Sequence, residues 1–127
     1  MHCRLVLREI PAGRRVKGAD IAKLVREEGE RLLAAVPKGA LIIALDRQGQ
    51  PLSTEQLAAK LKTQLAQGQD MALLVGGPEG LPPECLARAH ARWSLSLMTF
   101  AHPLIRVMVA EQFYRAWSIL NNLPYHR

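Results

Sequence analysis

Apolar positions recur along this chain in two rhythms, and the rhythms change every ten to twenty residues. Over residues 19–36, Ile21, Leu24, Val25, Leu32, Leu33 and Val36 return at three- and four-residue steps, which predicts a helix. Asp20 stands near its start, where a negative charge suits the helix dipole. Glu27, Glu28, Glu30 and Arg31 mark its solvent face, and Pro37-Lys38-Gly39 ends it. A second helix is predicted to open at Ser53, with Gln56 completing a capping box. It carries Leu57, Leu61 and Leu65 and stops at Gly68. Residues 40–45 and 71–75 are instead continuous apolar runs of strand length. Continuous runs predict strands covered on both faces, as in a parallel sheet. Asp46 then predicts a turn after the first run. Residues 3–10 alternate loosely and predict a short edge strand. Residues 76–80 turn the chain, Pro82-Pro83 opens a helix to about residue 91, residues 95–98 form a further short strand, and Pro103 opens a last helix to about residue 123. The expected order is strand, helix, four times over. It argues for an α/β fold with a mostly parallel sheet flanked by helices. Ligands in such sheets bind beyond the carboxyl ends of the strands.

The chain has 127 residues, which predicts a single domain over 1–127. Aromatic residues are only 5% of it, so the core must be built from Leu, Val, Ile and Ala. Both Trp and both Tyr lie after residue 90. The net charge is +6, and an anionic partner, nucleic acid foremost, fits that balance. A merely soluble basic protein is the plain alternative. Cys3 and Cys85 are far apart and lack a CxxC partner, which predicts free thiols in a reducing compartment and no metal site. No run approaches the ~20 apolar residues of a membrane span, and no apolar signal region opens the chain. The cytoplasm is the expected location.

Three segments after Met71 carry candidate chemistry. Gly76-Gly77-Pro78-Glu79-Gly80 follows a buried run, and its lack of side-chain bulk leaves backbone free to approach a ligand. It is neither a dinucleotide fingerprint nor a P-loop, and a plain turn is the bland reading. In the last helix, Glu111, Gln112, Arg115 and Ser118 fall within roughly 120° and predict a polar stripe. Arg106 falls opposite, among Leu104, Ile105, Val109 and Phe113, with His102 four residues before it. An Arg among apolar neighbours needs a partner, or a long stem reaching solvent. The helix's wide apolar band suggests burial on two sides, hence a homodimer. The ending Pro124-Tyr125-His126-Arg127 joins an aromatic ring, a titratable imidazole and a bidentate cation, where ordinary termini fray. The loop at 11–18 carries Arg14, Arg15 and Lys17, either solvated or set against phosphates.

These segments, with Trp93-Ser94-Leu95-Ser96, His102-Pro103-Leu104-Ile105-Arg106-Val107 and Tyr114-Arg115-Ala116-Trp117-Ser118-Ile119, resemble the ribosomal large-subunit RNA pseudouridine N3-methyltransferases (RlmH type). The loop Ile10-Pro11-Ala12-Gly13-Arg14-Arg15 and Glu27-Glu28-Gly29-Glu30 look like that family too. The resemblance covers nearly the whole chain. It implies the SPOUT architecture with a C-terminal trefoil knot, and a homodimer. It implies S-adenosylmethionine, without a metal, as methyl donor, and N3 of a pseudouridine in 23S ribosomal RNA, on the assembled ribosome, as acceptor. Carried onto matching positions, the cofactor residues would be Leu45, Gly76, Gly77, Ser96, Leu97, Met98, Thr99, Phe100 and Ala101. His126 or His102 would serve as base, Arg106 or Arg127 would steady charge on a carbonyl oxygen, and Tyr125 would stack or hydrogen-bond. Arg14, Arg15 and Lys17 would meet RNA phosphates. Two departures stand out. Family members carry a further strand and helix before the segment matching Cys3, and Ala101 replaces a proline common before His-Pro. Two other classes remain in play: a catalytically inactive RNA- or ribosome-binding dimer, and a methylase of the same architecture acting on tRNA.

Overall fold

A computed structural model describes residues 3–11, 13–14, 16–77, 79–95 and 102–126, with helix geometry but no side-chain description at 102–103. Its elements are α1 (Ile21–Ala35), β1 (Leu41–Pro51), α2 (Thr54–Gln67), β2 (Met71–Leu74), α3 (Pro83–Arg88), β3 (Ala91–Ser94) and α4 (His102–Leu120). The three strands form one sheet in the order β2-β1-β3, and both pairings are parallel.

The continuous apolar runs behave as their composition requires. Successive residues of β1 enter opposite layers. Ile43 packs with Leu57, Ala58 and Leu61 of α2, Trp93 and Ala116 of α4. Its neighbour Ile42 packs on the other face with Leu74 and Cys85, against Leu32 and Leu33 of α1. Helices therefore cover both faces of a sheet whose centre is β1. The caps were written locally: the Asp20 side chain accepts from Lys23 N, and Ser53 and Gln56 form the reciprocal capping box.

Four expectations need correction. Residues 3–10 form no strand; Leu5, Val6 and Leu7 are exposed, and the alternation finds no neighbouring strand to pair with. The segment is tied down from its far side, where Gly13 N donates to Glu28 Oε2 (2.8 Å) and Arg31 donates to the Pro11 carbonyl (3.1 Å). β1 does not end at Asp46 but runs on to Pro51. Trp93 pairs with Leu45 and again with Gln50, so residues 46–49 bulge out of the ladder. Gly49 makes that possible, because a Cβ there would meet the Arg92 and Trp93 backbone at 2.6–2.9 Å. The helix expected to run to about residue 91 stops at Arg88, and Ala91–Ser94 forms a strand instead; residues 96–98 of the strand expected at 95–98 lie outside the described residues. His90 sets that register: its N–H donates to Ile42 O (2.8 Å), and its Nδ1 accepts from Ile42 N (2.9 Å). Finally, α4 ends at Leu120 rather than near residue 123, and Ser118, expected in a polar stripe with Glu111, Gln112 and Arg115, is fully buried. Its hydroxyl donates back to Tyr114 O (2.8 Å).

Gly29 is the one buried residue of α1, where the helix meets α3. A Cβ there would run into the Pro82 ring and stand 3.1 Å from Cys85 Sγ. Alanine should raise helix propensity by about 1 kcal/mol. Overpacking should cost about 1–3 kcal/mol. We expect Gly29→Ala to lower stability in urea unfolding; a gain would show that the Pro82 ring gives way.

Candidate active site at the carboxyl ends of the strands

The chain reversal after α4 builds the site. Asn122 takes the left-handed conformation (φ 56°). Asn122 N donates to Ile119 O (3.2 Å) and Leu123 N to Ser118 O (2.9 Å), the two bonds of a Schellman stop. The tail therefore turns back along α4 rather than fraying. Tyr125 packs edge-on against Tyr114, with centroids 4.7 Å apart, and the Arg115 guanidinium sits 5.0 Å from its ring centroid.

Glu111 gathers this end of the helix. One carboxylate oxygen accepts from Arg115 Nε (2.6 Å) and from the Tyr125 hydroxyl (3.1 Å); the other accepts from Gln112 Nε2 (3.2 Å). Gln112 Oε1 in turn accepts from Thr54 Oγ1 (2.7 Å), linking α4 to the first turn of α2. The next residue of α2, Glu55, meets the tail again, 2.9 Å from His126 Nε2. The other ring nitrogen, Nδ1, lies 3.3 Å from Arg115 NH1. A guanidinium can only donate. Nδ1 therefore carries the lone pair, and Nε2–H donates to Glu55.

The hydrogen bond from His126 holds the Glu55 carboxyl below its ordinary range. A lowered carboxylate stabilises the fold above its unfolded value and loses that contribution as pH falls through the folded one. Tyr125 is displaced the other way, chiefly because its hydroxyl donates to the Glu111 carboxylate. A raised phenol favours the fold below its unfolded value, and the contribution fades as pH rises through the folded one. In ultraviolet titration, one of the two tyrosines should ionise above its ordinary value of 10.0. Glu111→Gln should bring it back; an unchanged curve would remove the bond.

Beside this network, a cavity of about 220 Å³ opens where the three strands end. Leu45, Leu73, Trp93 and Leu95 wall it, and Thr54 and Gln112 supply polar groups. Trp93 is buried and its Nε1–H has no acceptor among the described residues, a cost a bound acceptor would remove. The volume is below the ~300–1,000 Å³ usual for ligand pockets.

Of the residues singled out in the sequence, Leu45 lines the cavity, while Tyr125 and His126 join the network. Gly76 and Gly77 stand just past β2 but do not line the cavity. Gly77 O accepts from Gly80 N (2.9 Å), and the space a Gly76 side chain would need is filled by the Gly80–Leu81 backbone. The turn itself uses these glycines. Arg106 pairs with Glu9 from the amino-terminal segment, which answers its need for a partner away from the tail. Arg14 and Lys17 are exposed. Arg15, Ser96, Leu97, Met98, Thr99, Phe100, Ala101, Arg127 and the His102 side chain lie outside the described residues. Sequence reasoning missed Thr54, Glu55 and Trp93 as site residues. An acid two positions past a capping serine looks like ordinary helix chemistry.

A family model described as "Predicted SPOUT methyltransferase" matches residues 1–126. The chain is 54% identical to the ribosomal RNA large subunit methyltransferase H of Thioalkalivibrio sulfidiphilus, over 99% of this chain and 81% of that protein. It is 55% identical to the protein of the same name from Methylococcus capsulatus, over the same shares.

Proposed function

The chain belongs to the SPOUT methyltransferase family, and from that premise we propose that it moves a methyl group from S-adenosylmethionine to N3 of a pseudouridine in large-subunit (23S) ribosomal RNA. The observation that carries this is the identity of 54% and 55% to two large-subunit ribosomal RNA methyltransferases, which spans the cavity and the tail network alike. The assembled ribosome as substrate, the cytoplasm as location, a single domain over 1–127, the trefoil knot and a homodimer belong to the same reading. Leu104, Val107 and Tyr114 support the dimer, as an exposed apolar strip along α4. Among the described residues no helix is long and apolar enough to cross a membrane.

The cavity fits part of such a cofactor. Leu45, Leu73 and Trp93 would hold its flat apolar portion, and Trp93 Nε1–H would gain an acceptor. Residues 96–101, next in sequence to Leu95 of the cavity wall, would hold the remainder. The bound cofactor supplies a methyl group already activated by its sulfonium. The protein's own work is to position the acceptor, remove its proton and steady charge. N3 of a pseudouridine is an imide nitrogen that must lose its proton before it attacks. His126 Nδ1 carries the lone pair that would take it, once Arg115 yields that atom. Glu55 holds the opposite nitrogen and would stabilise the imidazolium formed. His102 is the alternative base. Arg106 or Arg127 would face the developing oxygen charge, and Arg14, Arg15 and Lys17 the phosphates.

The test is methyl transfer from labelled S-adenosylmethionine to ribosomes lacking the modification, beside bulk tRNA. Label at a large-subunit pseudouridine is expected. Label in tRNA instead would make the chain a tRNA methylase. Cofactor-independent ribosome binding without transfer would make it an inactive binding dimer.

A further inference from the structure

A second hollow, of about 420 Å³, lies at the opposite, amino-terminal end of the sheet. Two segments bring cations to it, Lys38 from the turn before β1 and Arg88 from the last position of α3, and the connection into β3 adds the imidazole of His90. No acidic residue lines it, and neither Lys38 nor Arg88 has a carboxylate within ion-pair distance among the described residues. Two of the three are set on held backbone. The Lys38 turn is closed by Ala40 N donating to Pro37 O (3.1 Å), and the side chain of Gln69 donates to the Gly39 carbonyl (3.1 Å). His90 is held more tightly. Its Nδ1 accepts from Ile42 N (2.9 Å), so the proton of the neutral ring sits on Nε2, which is left as a donor.

We propose that this hollow is a phosphate site for the RNA backbone, in which Lys38, Arg88 and His90 Nε2–H grip one stretch of phosphodiester away from the reacting nucleotide. The proposal rests on the reading of the protein as an RNA methyltransferase. A +6 chain that gathers unpaired cations around a concavity keeps them mutually repelling until an anion arrives. A phosphodiester offers that anion without asking for base contacts, so the site would position the protein rather than read sequence. Arg14 and Lys17 do not line it, and two such footholds would fix orientation where one would not.

The test measures binding of a 20-base-pair RNA duplex and of purified ribosomes across a salt series. Lys38→Gln/Arg88→Gln is compared with Lys23→Gln/Arg26→Gln on the exposed side of α1. Losing two phosphate contacts should reduce the slope of log K against log salt by about 1.4–1.8 and weaken binding at 0.1 M salt roughly 30-fold. The control pair should leave the slope near that of the unaltered protein. Melting and S-adenosylmethionine affinity should be unchanged in both, and KM for ribosomes should rise in the first with kcat preserved. An equal slope change in the two pairs would overturn the site, since general charge would then explain it. So would an unaltered slope accompanied by lost binding of inorganic phosphate, which would mark the hollow as a free-anion site. A reduced slope in a protein that transfers no methyl group would uphold the site while sinking the methyltransferase reading.

Discussion

His126→Ala should lower methyl transfer to ribosomes by about 10²–10⁴-fold, the span general-base catalysis supplies. Cofactor affinity should stay within about twofold, because His126 does not line the cavity. The argument rests on direction as much as distance. Arg115 can only donate, so Nδ1 is the nitrogen with a free pair, while Glu55 at 2.9 Å fixes the other. Glu55→Gln keeps an oxygen that can accept from Nε2 but removes the charge that steadies an imidazolium. It should therefore cost less than His126→Ala. Equal and full activity in both variants would pass the base role to His102.

The largest effect on stability is expected at Trp93. Trp93→Ala should cost about 3–5 kcal/mol, as large-to-small changes in a core do. The residue is 5% exposed, pairs twice with β1, and touches the cluster around Ile43. Trp93→Phe separates packing from polarity. It keeps most of the buried area and deletes an indole N–H that has no acceptor among the described residues. Urea unfolding should show a smaller loss than for alanine. If a bound cofactor accepts from that N–H, affinity by calorimetry should fall by about 5–30-fold for Trp93→Phe, near the worth of one buried hydrogen bond. Unchanged affinity would mean the indole only fills the wall.

Why some of this was legible in the sequence follows from range. The α1 and α2 caps depend on residues three positions apart, so Asp20 and the Ser53–Gln56 pair announce themselves. Ile42 and Ile43 read correctly as doubly covered because a continuous apolar run admits few other solutions. The β1 bulge did not read, because Gly49 is placed by the backbone of Arg92 and Trp93, far along the chain. The strand at Ala91–Ser94 did not read either, because its pairing with Ile43, Ala44 and Leu45 is fixed some fifty positions earlier in the chain. In the site, the tail drew notice by composition. Its partners did not, since Glu55 precedes His126 by 71 positions and only the Asn122 reversal brings them together.

The packing of α1 on α3 also gives the molecule an internal clock. Cys85 is fully buried, its thiol lies 3.5 Å from the Gly29 carbonyl, and burial holds it in the unreactive protonated form. Cys3 is exposed. A thiol reagent should therefore label the chain in two phases, the first at Cys3 and the second only as fast as the α1–α3 seam opens. The slow phase reads the opening free energy of that seam without any probe being introduced. A ligand that tightens the far face of the sheet and leaves the slow phase untouched would show that the two helical layers breathe independently.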